Sequence, residues 1–151
     1  MLIGVRRTAQ TLAVTTRLCA GATATAATPQ SAASAVFVMS PGGHEALALE
    51  ALGDTVCTLG YNVKTIERLP GSKSLCHVPE VPSECAVVRI TAFSVNYADV
   101  CIRWGLYESA LRFVGYPVCP GFDFAGVIER AGDDAGFKAG DQVFGITFFG
   151  A

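Results

Sequence analysis

Between Pro120 and Gly145 the chain reads PGFDFAGVIERAGDDAGFKAGDQVFG, six glycines dividing two apolar runs. Glycine sits where backbone turns with positive φ or passes close to another segment, so this pattern predicts twisted antiparallel strands joined by tight turns. Two strands are expected, about Phe122 to Arg130 and Gln142 to Phe149, joined through Gly132-Asp-Asp-Ala-Gly136. Gly126 is expected at a bulge or close approach. Gly132, Gly136 and Gly140 recur every four residues, yet no strand and helix flank them, and neither a G-x-G frame nor a G-x-x-x-x-G-K run occurs in the chain. A phosphate-binding turn of the Rossmann or P-loop kind is therefore not encoded in this sequence.

Upstream, Ala35 to Met39 reads as a short strand closed by Pro41-Gly42-Gly43, and a second strand follows near Ala46 to Leu52. The region from Gly53 to Pro82 reads as a hairpin with a long surface connection, in which Tyr61 to Ile66 alternates with period two. Ala86 to Val95, AVVRITAFSV, is apolar on both faces and so is expected to be a central strand. Asn96 then suits a helix N-cap, with Asp99 near the positive end of the helix dipole and Gly105 in the position that ends the helix. Leu106 to Cys119 is an aromatic-rich loop or irregular helix.

Half of the 151 residues are hydrophobic and 16% are charged, enough apolar material for one globular core. A net charge of −2 provides no basic stripe, which argues against a nucleic-acid partner. The apolar runs fall short of the roughly 20 residues of a membrane-spanning helix. Arg6, Arg7 and Arg17 are the only charged side chains before Glu45. Residues 1–34 therefore read as a leader: an arginine-bearing, hydroxyl-rich mitochondrial presequence, a disordered extension without an address, or, fitting less well, a secretory signal that Arg17 interrupts. Mitochondrial or cytoplasmic localisation is expected. The six cysteines include no C-x-x-C pair, so they are expected to be reduced and structural, and His44 and His77 are not expected to be metal ligands.

The segments SVNYAD, RWGLYE, GYPVCPGFDFAG and FKAGDQVFG, in this order, resemble the medium-chain dehydrogenase/reductase superfamily. The likeness is strongest to its zinc-independent quinone oxidoreductases and the synaptic vesicle membrane protein VAT-1-like branch. It covers Val87 to Ala151 well and Ala35 to Leu52 weakly. It implies a mainly β fold with short helices over residues 35–151: a GroES-like, alcohol dehydrogenase-like irregular β-barrel, incomplete, with the Rossmann domain absent from this chain.

In zinc-dependent members a Cys stands at the position matching Asn96, and a Gly-His-Glu triplet at the position of Gly121-Phe122-Asp123. Asn and Phe do not replace a thiolate and an imidazole, so no catalytic zinc is expected. The four-cysteine structural zinc lobe has no counterpart here either. The resemblance further implies NADPH, bound mainly by the missing domain, and a quinone or α,β-unsaturated carbonyl as acceptor, with homodimerisation when complete. It places Asn96 and Tyr107 beside nicotinamide and substrate, where each could donate a hydrogen bond. On the residues alone, Asn96 reads equally as a helix cap and Tyr107 as a ring packed against Trp104 or Phe113. Asp99 reads as a helix carboxylate or a general base, and Asp123 as a residue that fixes local backbone. Two functions remain: a catalytic-domain portion of an oxidoreductase, inactive as a fragment, and a cofactor-free module that binds a protein or membrane partner.

Overall fold

The computed structural model describes residues 1–4, 33–52, 56–58, 75–147 and 149–151. Its centre is an antiparallel sheet of four strands in the order β1 (Leu2–Gly4), β6 (Cys85–Ala92), β7 (Asp123–Ala131) and β8 (Gln142–Ile146). Two further ribbons pair β2 (Ser34–Val38) with β3 (Leu47–Ala51) and β4 (Val56–Thr58) with β5 (Leu75–His77). Among the described residues these strands do not close into a barrel; the molecule is mainly β with short helices.

β6 is central, as its two apolar faces predict, and Cys85 through Val88 are all buried. Ala86 and Val88 pack with Phe124, Ile128, Ala135 and Met1 in the main core of the sheet. The strand ends at Ala92, short of the expected Val95, because its register against β7 shifts between Ile90 and Ala92. Gly126 lies opposite Ile90 at that irregularity, and a Cβ there would stand 2.2 Å from the Arg89 carbonyl oxygen. Only glycine permits that approach. Phe93 to Val95 leave the sheet exposed and run toward the helix.

Three residues of the expected leader form a strand of this sheet. Leu2 pairs with Val87, Ile3 with Ala86 and Gly4 with Cys85, and the Met1 ammonium donates to the Val88 carbonyl at 2.8 Å. The free edge of β6 needs a partner for its backbone groups, and this segment supplies one. Residues 5–32 of the leader lie outside the described residues, as do Tyr61 to Ile66, while Ser34, at the leader's expected end, already begins β2.

The hairpin expected over Gly53 to Pro82 is present at its two ends, β4 pairing Val56 with His77 and Thr58 with Leu75. The buried Thr58 hydroxyl donates to the Gly150 carbonyl at 2.7 Å, fastening this ribbon to the last residues of the chain. Val38 of the other ribbon exchanges two backbone hydrogen bonds with Val118, at 2.8 and 3.0 Å. Helix α1 (Tyr97–Arg103) follows the central strand, and Gly105 ends it with φ +75°. The aromatic segment after it is irregular, with one wide π-type turn over Ala110–Val114. No helix among the described residues is long and apolar enough to cross a membrane.

Candidate functional site

The tripeptide Gly121-Phe122-Asp123, just where β7 begins, gathers the residues singled out in the sequence. Asp99, in the first turn of α1, accepts a hydrogen bond from the Asn96 backbone amide at 2.7 Å through one carboxylate oxygen and from the Gly121 amide at 2.9 Å through the other. The first contact belongs to a capping box, which satisfies amides the helix start leaves unpaired. The second ties the helix to the strand. With both oxygens engaged on backbone amides, Asp99 acts as a helix carboxylate. Gly121 itself has φ +109°, and a Cβ there would meet the Ala151 backbone at 2.6 Å.

Asp123 anchors the approach to the helix. Its carboxylate accepts from the Ser94 amide at 2.9 Å, from the Ser94 hydroxyl at 2.7 and 2.8 Å, and from Asn96 Nδ2 at 3.3 Å. The Ser94 hydroxyl chiefly, then the Ser94 N–H and the Asn96 amide, hold the Asp123 carboxyl below its ordinary range, since each bond favours the charged form. Asn96 Nδ2 also donates to Ser94 Oγ at 3.1 Å. The amide nitrogen of Asn96 is thereby directed into the cluster.

Phe122 points the other way, into an aromatic group. Tyr107 meets it edge to face with ring centroids 5.6 Å apart, and meets Phe149 at 6.3 Å with nearly perpendicular planes. Phe122 and Phe149 complete the triangle at 5.8 Å. Such geometry suits the ring quadrupoles and fixes the Tyr107 ring. The buried side chains beneath are Val38, Ile102, Ala110, Val114 and Val118. Trp104 does not pack with Tyr107; it meets Tyr97 at 6.4 Å and lies under the Arg103 guanidinium. The Tyr107 hydroxyl has no hydrogen-bond partner among the described residues, and it is not buried. Asn96 and Tyr107 thus meet through adjacent residues, one on Asp123 and the other on Phe122.

Two members of the site carried no sequence signal. Ser94 looked like one more strand residue, although its place two before the cap fits a polar role. Phe149, expected in a strand, takes φ +75°, an uncommon conformation for a bulky side chain that brings its ring into the triangle. Elsewhere the thiols of Cys85 and Cys119 are buried, and burial pushes Cys119 up to about 12. Among the described residues no three His, Cys, Asp or Glu side chains converge as metal ligands.

Comparison with known proteins finds a family match over part of the chain. Residues 82–150 match the alcohol dehydrogenase GroES-like domain. A zinc-type alcohol dehydrogenase-like protein of Schizosaccharomyces pombe is 44% identical over 69 residues, covering 42% of this chain and 19% of the relative. The quinone oxidoreductase of Rattus norvegicus is 40% identical over 68 residues, covering 44% of this chain and 20% of its own length. The match thus spans about a fifth of each of these relatives. A probable oxidoreductase from Mycobacterium abscessus superposes on 78% of this chain and 29% of its own, with a TM-score of 0.49 and 24% identity.

Proposed function

We propose, from a chain whose residues 82–150 match the alcohol dehydrogenase GroES-like domain, that it belongs to the medium-chain dehydrogenase/reductase superfamily and forms the acceptor side of a cleft in which NADPH reduces a quinone or an α,β-unsaturated carbonyl. The observation that carries this reading is the Tyr107 hydroxyl, a donor with no hydrogen-bond partner among the described residues, on a ring held by Phe122 and Phe149.

The residues described here suit the uncharged end of the cofactor and not its phosphates. Asp123 makes the polar cluster anionic, and Arg89, Arg103, Arg112 and Arg130 are each engaged by a carboxylate or a backbone carbonyl. We therefore assign the phosphates to residues outside this cluster. When bound, NADPH supplies the hydride. Tyr107 donates to the acceptor oxygen as negative charge grows there, the role of a preorganised oxyanion donor. Asn96 lies on the nicotinamide side, and because its amide nitrogen is turned onto Ser94 and Asp123 its part is to hold position. The aromatic triangle limits water around the hydroxyl.

Zinc independence is part of the proposal. The positions that resemble the metal ligands of zinc-dependent relatives hold Asn96 and Phe122, and neither offers a thiolate or an imidazole. The test is NADPH oxidation, with an ortho-quinone and with an enone, by this chain joined to a nucleotide-binding domain, with and without chelator. Turnover unaffected by chelation is expected. Loss of turnover on chelation sinks the zinc-free mechanism, and NADPH binding without turnover of either acceptor supports a cofactor-free binding module instead.

A further inference from the structure

The β4–β5 ribbon lies before residue 82, outside the matched domain, yet one of its side chains is bonded beside the candidate site. The buried Thr58 hydroxyl donates to the Gly150 carbonyl across 92 positions of sequence. Gly150 follows Phe149, whose ring stands 6.3 Å from Tyr107 and 5.8 Å from Phe122. Phe149 takes φ +75° and Gly150 φ +86°. A bulky residue keeps such a left-handed conformation only where the bonds around it over-determine it. Those bonds are present: the Thr147 hydroxyl donates to the Phe149 carbonyl at 3.0 Å, and the Gly150 amide donates to the Cys119 and Pro120 carbonyls at 3.1 and 3.0 Å. Thr147, Cys119 and Pro120 belong to the segment that carries the site, whereas Thr58 comes from the ribbon. That ribbon is itself seated on the body of the protein. Leu75, opposite Thr58, packs against Ala35, Phe37 and Cys119, and the next residue, Cys76, is buried with Cys85 and Val87 of β6.

We propose that Thr58 is a positioning residue for Tyr107: its bond to Gly150 fixes the turn at Phe149, the Phe149 ring bears on Tyr107, and the direction of the Tyr107 hydroxyl follows. The functional consequence rests on the oxidoreductase reading above. An oxyanion donor works through placement, because it must stand where charge develops on the acceptor oxygen. Thr58 does not touch the acceptor; it acts through Gly150 and Phe149. Without its hydroxyl the Gly150 carbonyl loses its side-chain donor, and the strained turn is held from one side only. The backbone of Phe149 then relaxes, and its ring leaves the edge-to-face contact with Tyr107.

The test compares Thr58→Val, Thr58→Ala and Thr58→Ser in the full chain by NMR with isotope-labelled tyrosine, the Tyr107 signals being assigned by their loss in Tyr107→Phe. Valine keeps the shape and loses the donor, alanine leaves room for a water on the Gly150 carbonyl, and serine keeps the hydroxyl. In the valine and alanine variants the Tyr107 ring resonances should shift in the direction that Phe149→Leu shifts them. The Tyr97 ring, packed on Trp104, and the amides shared by β6 and β7 should stay as in the parent. Thr58→Ser should keep Tyr107 at the parent position. In the chain joined to a nucleotide-binding domain, Thr58→Val should lower kcat for a quinone about tenfold with the KM for NADPH unchanged. An unmoved Tyr107 in the folded valine and alanine variants overturns the proposal, as does a serine variant that shifts like valine, or a kcat that holds when the ring moves. Loss of the β6–β7 amide signals together with Tyr107 also overturns it, because the hydroxyl then supports the whole fold and not the ring. The ring shift needs no turnover, so a joined parent that reduces neither acceptor counts against the oxidoreductase reading while the Tyr107 resonances still decide the tether.

Discussion

The carboxylate of Asp99 holds the backbone amide of Gly121 at 2.9 Å while its other oxygen caps the helix it sits on, at Asn96. One side chain thus sets where α1 begins and where β7 is entered, and the candidate site lies between the two. Replacement by alanine strands both amides. Asp99→Ala is expected to destabilise the fold by about 1–3 kcal/mol, read by urea denaturation. Asp99→Asn should fall between, since the amide keeps one acceptor and loses the other. An alanine variant as stable as the parent would show that water replaces both contacts without loss.

Tyr107→Phe separates packing from chemistry. The ring contacts with Phe122 and Phe149 survive and the hydroxyl has no hydrogen-bond partner to lose among the described residues, so stability should change by less than about 0.5 kcal/mol. In a quinone or enone assay the same variant should lose about ten- to hundredfold in kcat/KM, as removal of an oxyanion donor does. An unchanged kcat/KM in an active enzyme would take Tyr107 out of the reaction.

Asp123 predicts a pH limb in acid. Its folded-state carboxyl lies below the unfolded value of about 3.9, so the stability it contributes is present above that pH and is lost as pH falls through the folded value. Carboxyl-carbon NMR should show Asp123 titrating below the ordinary aspartate value, and the Ser94 amide shift should follow the same curve. In Asp123→Asn the Ser94 response should vanish. An ordinary titration midpoint for Asp123 would mean that the Ser94 bonds are not kept in solution.

Gly126→Ala should be among the most damaging small substitutions in the sheet. The added methyl collides with the Arg89 carbonyl at 2.2 Å, and backbone cannot rotate aside as a side chain can. A loss of about 2 kcal/mol or more is expected by thermal or chemical unfolding. By contrast Gly136→Ala meets no neighbour and costs only the strain of φ +75°. Equal effects at the two positions would contradict the close approach.

What the sequence made legible was local. Alternation and turn glycines placed β6, β7 and β8, and the Asn96, Asp99 and Gly105 signals placed α1, because caps and strands depend on neighbours a few residues away. The bond from Asp99 to Gly121 and the pairing of Ser94 with Asp123 span more than twenty residues, and nothing in local pattern predicts them. The end of β6 at Ala92 was missed for a related reason. Phe93 and Val95 have strong strand character, but the bulge opposite Gly126 and the pull of Asp123 on Ser94 lead the chain off the sheet. The strand formed by Leu2–Gly4 was hidden by leader-like composition, since a three-residue edge strand needs only a free neighbour, not a pattern of its own.

The strand order also implies a sequence of events in time. β6, β7 and β8 are consecutive along the chain and can zip together by successive short closures. The Met1 ammonium reaches Val88 across 87 positions, a closure that returns only a three-residue ladder for its entropy. Refolding should therefore produce a three-stranded intermediate face first and admit β1 last. In pulse-labelled hydrogen exchange the amides shared by β6 and β7 gain protection early, and the outer edge of β6 remains open to any competing strand until β1 arrives.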